Sequence, residues 1–439
     1  MAASSITTNV MFGTALLGAT AGVIGSFAVL RRRALVGDML SHAALPGICV
    51  AFLITQSRDL VALSLGALAS GLAGIAVMTM LRRWTRTKED AAIGIVLSTF
   101  FGAGVVLLSI IQQQATGHQA GLNSYLFGET AGITRRDVVL IAGVAALSLA
   151  VVILLYKEFK LLSFDAEFAA AEGWPTLALD LWMMGTLAVV TIIGLPICGV
   201  ILMAALVILP GAAARFWTDR LGRLLVIAAI GGAVAGALGT FLASPLPQQW
   251  LRTSLVDAAK MPPGPLIVLA AAFFFLVSLL FAPQRGIVAN ALAELRLRLR
   301  ISREHLLRAL YELSEALQPQ RPYIERSQLL ERRAWSQWLM NWWLGRLAAR
   351  GLVELDDHRV RLTPAGLAAA ADVTRTHRLW ELFLVDTAGI AIDHVDRDAD
   401  DVEHMLPAPL IRDLEQRLAA AGRLPTAPQH VPESPHDLL

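Results

Sequence analysis

Asp38 and His42 stand four residues apart in RRRALVGDMLSHAALPG, Arg31 to Gly47, between long apolar runs. On a helix this spacing puts a carboxylate and an imidazole on one face. An oxygen and a nitrogen donor together suit a divalent cation such as Zn2+, Mn2+ or Fe2+. Ionisable groups beside or within a bilayer are costly enough to imply a task, here the passage of a metal ion. The bland alternatives are an Asp that caps its helix or pairs with a nearby Arg, and a His bonded to a neighbouring helix. A second constellation lies in DADDVEHML, where Asp400, Glu403 and His404 at i, i+3 and i+4 would converge on one helix face. Its alternative is an ordinary solvated acidic face. From residue 371 onward there are 13 Asp or Glu against 6 Arg and no Lys, so cations are attracted there. Oxygen and nitrogen donors without a thiolate favour Mn2+ or Fe2+ over structural zinc.

The elements that must position these groups are mostly membrane helices. The chain of 439 residues is 56% hydrophobic and 16% charged, with a mean hydropathy of +0.59, whereas a soluble protein carries about 25% charged residues. Apolar blocks of the length needed to cross the hydrocarbon, roughly 20 residues, place spans near 10–30, 44–57, 59–81, 91–111, 137–156, 177–193, 198–214, 224–243 and 263–282. The second is short, and the sixth and seventh are parted only by GLPICG, so eight spans is the other count. Basic residues accumulate in alternate loops, at Arg31 to Arg33, Arg82 to Lys88, Lys157 and Lys160, and Arg215 to Arg223. Such loops face the cytoplasm, which puts the N-terminus outside and the C-terminal region inside. Cys49 and Cys198 sit in apolar blocks and fit no disulfide framework.

In the loop after the fifth span, FDAEFAAAEG reads as a short helix started by Asp165 and ended by Gly173. Exposed and Ala-rich, it suits a groove on a partner. Beyond residue 284 the pattern turns soluble: an amphipathic helix from about 291, a break at Pro319 and Pro322, helices near 325–333 and 335–350, a hairpin turning at Asp356 and Asp357, and a helix capped by Thr363 and Pro364. That order is a winged helix-turn-helix plan. Trp335, Trp338 and Trp342 form a stripe on the candidate recognition helix that reads as core or as a partner surface.

RRRALVGDMLSHAALPG, NSYLFGE at 123–129 and LLSFDAEFAAAEGWP at 161–175 resemble the permease subunits of ABC importers for zinc, manganese and iron, over about the first 285 residues. The resemblance implies a pore subunit that works as a homo- or heterodimer, an ATPase on the cytoplasmic side and an extracytoplasmic metal-binding protein. It also implies metal ligation by Asp38 and His42 and a coupling helix carrying Asp165, Ala169, Ala170 and Gly173. A phosphate-binding loop needs a Gly-rich run ending in GK[ST]. Lysine occurs in no such run here, so the chain is expected to bind no nucleotide, to be no enzyme, and to rely on a separate ATPase chain.

Residues 300–425, above all HRLWELFL and DADDVEHML, resemble the dimerisation and metal-sensing region of iron- and manganese-dependent repressors. By motif position the implied ligands are His305, His377, Asp400, Glu403 and His404. Where the manganese regulators carry an acid three residues after the first of these, Arg308 stands instead. DNA binding is not expected, because a recognition helix tethered to lipid would have to bring DNA to the membrane.

The expected fold is an all-α polytopic membrane protein with a C-terminal winged helix, α with a β wing, and a helical dimerisation domain. Residues 1–284 form the transmembrane domain, 285–370 the winged helix, and 371–439 the sensing domain with a flexible tail after about 425. The expected function is a metal-importer pore in the bacterial inner membrane, Mn2+ favoured over Zn2+ or Fe2+, with a cytoplasmic metal sensor. The alternative is a membrane-anchored, metal-dependent transcription regulator.

Overall fold

A computed structural model describes residues 2–56, 59–113, 133–244, 263–315, 320, 322–332, 336–387, 408–420 and 431–432. The chain divides into two compact units, Met1–Asn290 and Ala291–Leu439. In the first, α1 (Ala2–Leu30), α2 (Val36–Thr55), α3 (Leu60–Trp84), α4 (Glu89–Gln113) and α5 (Arg135–Leu154) precede two short helices, α6 (Tyr156–Phe164) and α7 (Ala166–Ala171). Then come α8 (Thr176–Trp217), α9 (Leu221–Ala243) and α10 (Pro263–Phe281). Among the described residues nine helical segments are long and apolar enough to cross a membrane.

The count of nine holds because α8 is two spans. A helix of its 42 residues would run about 63 Å, twice the roughly 30 Å of hydrocarbon. Gly199 interrupts it at φ 76° and ψ 167°, a conformation only glycine adopts at little cost. The spans on either side are Thr176–Pro196 and Cys198–Trp217. The second span is longer than its apolar run suggests. It starts at Val36, so Asp38 lies in its first turn and His42 one turn further on.

Apolar side chains gain little by leaving lipid for one another, so close backbone approach and interhelical hydrogen bonds hold such bundles. A Cβ at Gly18 on α1 would collide with the Gly232 carbonyl on α9, and Gly47 on α2 stands in the same relation to Gly66 on α3. Beside the first contact, the Thr14 hydroxyl bonds Thr240 Oγ1 at 2.9 Å and donates to the Gly236 carbonyl at 3.1 Å. Beside the second, Ser70 Oγ donates to the Ala43 carbonyl at 2.6 Å.

The second unit begins within α11 (Ile287–Glu315) and continues through β1 (Ile324–Glu325), α12 (Arg326–Arg332), α13 (Gln337–Ala349), β2 (Val353–Asp356), β3 (Arg359–Leu362), α14 (Pro364–Thr387) and α15 (Ala408–Ala420). The wing hairpin pairs Val353 with Leu362 and Asp356 with Arg359. Thr363 Oγ1 accepts from the Gly366 N–H at 3.0 Å, capping α14. A third strand, unforeseen in a segment that reads only as a proline break, pairs Ile324 with Val360 and gives the order β1-β3-β2. Leu306, Leu310, Leu329, Leu344, Leu347 and Val360 centre the core of this unit.

The tryptophan stripe meets the core only in part, where half-buried Trp342 packs against it. The buried face of α13 is Met340, Trp343, Leu344 and Leu347, whereas Trp338 is 73% exposed and Trp342 lies under the Arg346 guanidinium. Trp335 is outside the described residues. The Pro432 carbonyl accepts from buried Arg378 at 2.8 Å, and Val431 packs on the core.

Candidate metal pathway and its ion-pair frame

His42 Nε2 lies 3.5 Å from Asp38 Oδ1, and both side chains are partly exposed, 24% and 33%. One edge of the imidazole meets the Phe101 ring of α4, with centroids 4.8 Å apart and planes at 81°. His42 Nδ1 is buried and has no hydrogen-bond partner among the described residues. A buried imidazole nitrogen left unsatisfied is costly, and a cation or a donor from another chain would relieve it. Pro46 lies one turn on; lacking an N–H, it cannot donate to the His42 carbonyl, which leaves a further oxygen acceptor beside the ring.

The bland alternatives for Asp38 do not describe its surroundings. The N-cap of α2 is Leu35, with no side-chain cap. The neighbouring arginines are turned elsewhere, onto two acids that the sequence reading did not single out. Arg33 places Nη1 at 2.6 and 2.8 Å from the two oxygens of Asp180 on α8 and also pairs with Glu89 at the start of α4. Arg31 pairs with Asp180, and Arg82 of α3 reaches Glu89 at 3.3 Å. Arg33 is 2% exposed and Asp180 5%. Charges so buried are tolerated because each has opposite partners in hydrogen-bond reach. Arg31 and Arg33 thus read correctly as loop arginines by type, yet they work as struts. Arg32 between them takes φ 60°, the left-handed turn that sends α1 into α2. A signal was present in the sequence, since an Asp amid the apolar run LALDLWMM has to find a cation.

The expected short helix is α7. Asp165 Oδ1 accepts from the Phe168 N–H at 2.8 Å, and Gly173 at φ 82° ends the turn. Its two alanines differ in a way that sequence could not show: Ala169 is fully buried and Ala170 exposed. Phe164, Phe168 and Trp174 are 44–53% exposed along the same segment.

In the second unit His377 is 2% exposed on α14, with Nε2 3.0 Å from Glu381 Oε1 and Nδ1 2.8 Å from Arg308 Nη1. Arg308 also donates through Nε to Glu312 at 2.8 Å. His305 is half-buried one turn earlier on α11. Asp400, Glu403 and His404 lie outside the described residues, as do His118, Glu129 and the NSYLFGE stretch. Among the described residues no three His, Cys, Asp or Glu side chains gather as a metal cage.

Residues 3–282 match the model of the ABC 3 transport family. The chain belongs to that family. Residues 363–430 match a second model, the iron dependent repressor metal binding and dimerisation domain. The manganese transport system membrane protein MntC of Bacillus subtilis (strain 168) is 38% identical over 417 residues, 95% of this chain and 92% of that protein. The zinc transport system membrane protein TroC of Treponema pallidum (strain Nichols) is 40% identical over 280 residues, covering 64% of this chain and 90% of its own. Among solved structures, PsaBC from Streptococcus pneumoniae in complex with Fab aligns with a TM-score of 0.54 at 29% identity, covering 63% of this chain and 92% of that one. With this membership, and nine helical segments among the described residues long and apolar enough to cross a membrane, the chain is a multi-pass membrane transport protein, a transporter subunit. The match to the Bacillus protein runs through both units of this chain.

Replacing Asp180 by Asn keeps its shape and leaves Arg31 and Arg33 without their shared anion. The expected cost is about 3 kcal/mol, read as a fall in the thermal midpoint of the detergent-solubilised protein. A midpoint equal to wild type would show that the arginines find other anions.

Proposed function

We propose that this chain is the pore-forming subunit of an ATP-driven importer of a divalent transition metal, Mn2+ first and Zn2+ or Fe2+ next. The observation that carries the reading is the Asp38 and His42 pair at the start of α2, with an unsatisfied imidazole nitrogen, in a chain whose relatives are named for manganese and zinc transport. Two ligands hold a metal weakly, which suits an ion in transit. A second permease copy would supply another Asp and His and complete a four-ligand set of borderline donors.

Supply and drive come from partners. An extracytoplasmic metal-binding protein delivers the ion, and a separate ATPase docks on the cytoplasmic side against the α7 segment. The apolar face of Phe164, Phe168 and Trp174 with exposed Ala170 is the contact, while Ala169 anchors the helix to its own bundle. The C-terminal unit lies in the cytoplasm, where His305, Asp400, Glu403 and His404 would bind imported metal and restrain uptake, provided binding differs between open and closed states.

Asp38→Ala and His42→Ala should each reduce uptake of radioactive Mn2+ to background while the protein inserts and binds its ATPase normally. Wild-type uptake in both would make the pair structural. Ala170→Glu should uncouple ATP hydrolysis from uptake with little change in the stability of the permease, whereas Ala169→Glu should destabilise the permease itself by about 2 kcal/mol or more, because it buries a charge. Equal and mild effects of the two would move the ATPase contact to another loop. Glu403→Ala with His404→Ala should let metal-preloaded cells continue to take up Mn2+ after wild type has stopped; identical inhibition would leave the C-terminal unit an assembly module.

A further inference from the structure

The repressor-like domain implies a metal on His377, and the surroundings of His377 can be tested for whether they fit one. Both ring nitrogens are engaged inside the protein. Arginine has donors only, so Arg308 Nη1, at 2.8 Å, must donate to His377 Nδ1, and that nitrogen carries the lone pair. The proton is then on Nε2, which faces the Glu381 carboxylate at 3.0 Å. A metal bound at Nδ1 would have to displace the guanidinium. One bound at Nε2 would drive the ring proton onto Nδ1, where the guanidinium already points its own donor, or leave the ring an imidazolate. The guanidinium is itself fixed, 7% exposed, with its Nε on Glu312 at 2.8 Å. A dication brought to this ring would meet a permanent positive charge that stays protonated at any physiological pH. The residues present do not fit the implied metal.

We infer that Arg308 is a built-in cation that fills the metal position at His377, linking α11 to α14 through Glu312, Arg308, His377 and Glu381 without any bound ion. This refines the regulatory reading above and depends on it only for its consequence. One of the two positions that a binuclear sensor would use is permanently occupied, so any metal response must come from a single ion held by the remaining donors. The arginine supplies a cross-link between α11 and α14 that needs no ion to form. The same α14 carries a second arginine used in this way: Arg378, 4% exposed, forks onto Glu315 of α11 at 2.6 and 2.7 Å.

The test is equilibrium Mn2+ binding to the full-length protein in detergent after chelation, read by electron paramagnetic resonance of the free ion. The transmembrane pair contributes equally to every variant, so the result is independent of whether Asp38 and His42 form the pore site. His377→Gln, whose amide can accept from Arg308 and donate to Glu381, should bind as much Mn2+ as wild type with affinity unchanged within about twofold. Arg308→Glu should gain about one further Mn2+ per chain, and adding His377→Gln to it should remove that gain. Loss of one equivalent, or a tenfold weaker site, in His377→Gln alone would overturn the inference, as would a folded Arg308→Glu that gains nothing. If Arg308→Glu does not fold, the His377→Gln measurement decides by itself.

Discussion

Buried Arg33 and half-buried Arg31, paired with two acids at one end of the bundle, set the position of nearly everything that bears on transport. Taking a charge out of water is affordable only against an opposite charge with its hydrogen bonds met, and in a membrane protein there are few places where that can be arranged. Asp180 and Glu89 provide it for Arg31 and Arg33. Because these arginines stand in the turn between α1 and α2, the pairing fixes where α2 begins, and hence the height and facing of Asp38 and His42. Because Asp180 lies in the first turns of α8, shortly after the α7 segment, the same cluster stands in sequence between the proposed ATPase contact and the turn that leads into the metal-bearing helix.

The rest of the bundle is held by contacts of another kind. Lipid solvates leucine as well as a neighbouring helix does, so the helices associate where glycines let backbones approach and threonine or serine hydroxyls bridge them. Among the tight pairs are α1 with α9 and α2 with α3. The second of these flanks Pro46, so the helix that carries the metal pair is clamped where its own hydrogen-bond ladder is interrupted. Spans such as α4, α5 and α10 have most of their surface outside the protein core.

The C-terminal unit applies soluble-protein physics to an inherited scaffold. Its sheet, wing and helices follow the winged-helix order, yet on α13 the exposed face carries Trp338, while half-buried Trp342 packs against the core under Arg346. The domain's cross-links are arginine to carboxylate and arginine to imidazole. Such links respond neither to metal supply nor to redox state, which is what a permanently attached regulatory unit requires.

Several features were legible in the sequence because they depend on local chemistry alone. Apolar blocks of membrane length gave the spans, the four-residue spacing gave the Asp38 and His42 pair, Asp165 and Gly173 marked the ends of α7, and Thr363 with Pro364 marked the start of α14. What depended on partners distant in the chain was not legible. The true start of α2 lies eight residues before its apolar run because buried ion pairs, not hydropathy, place it. Ala169 and Ala170 are chemically identical and differ only in which one faces the bundle. Strand β1 exists because β3 offers it a free edge, not because Ile324 and Glu325 prefer a strand. Arg308 looked like a missing ligand in the sequence. Only the fold, by setting its guanidinium 2.8 Å from His377, made it the replacement for a metal.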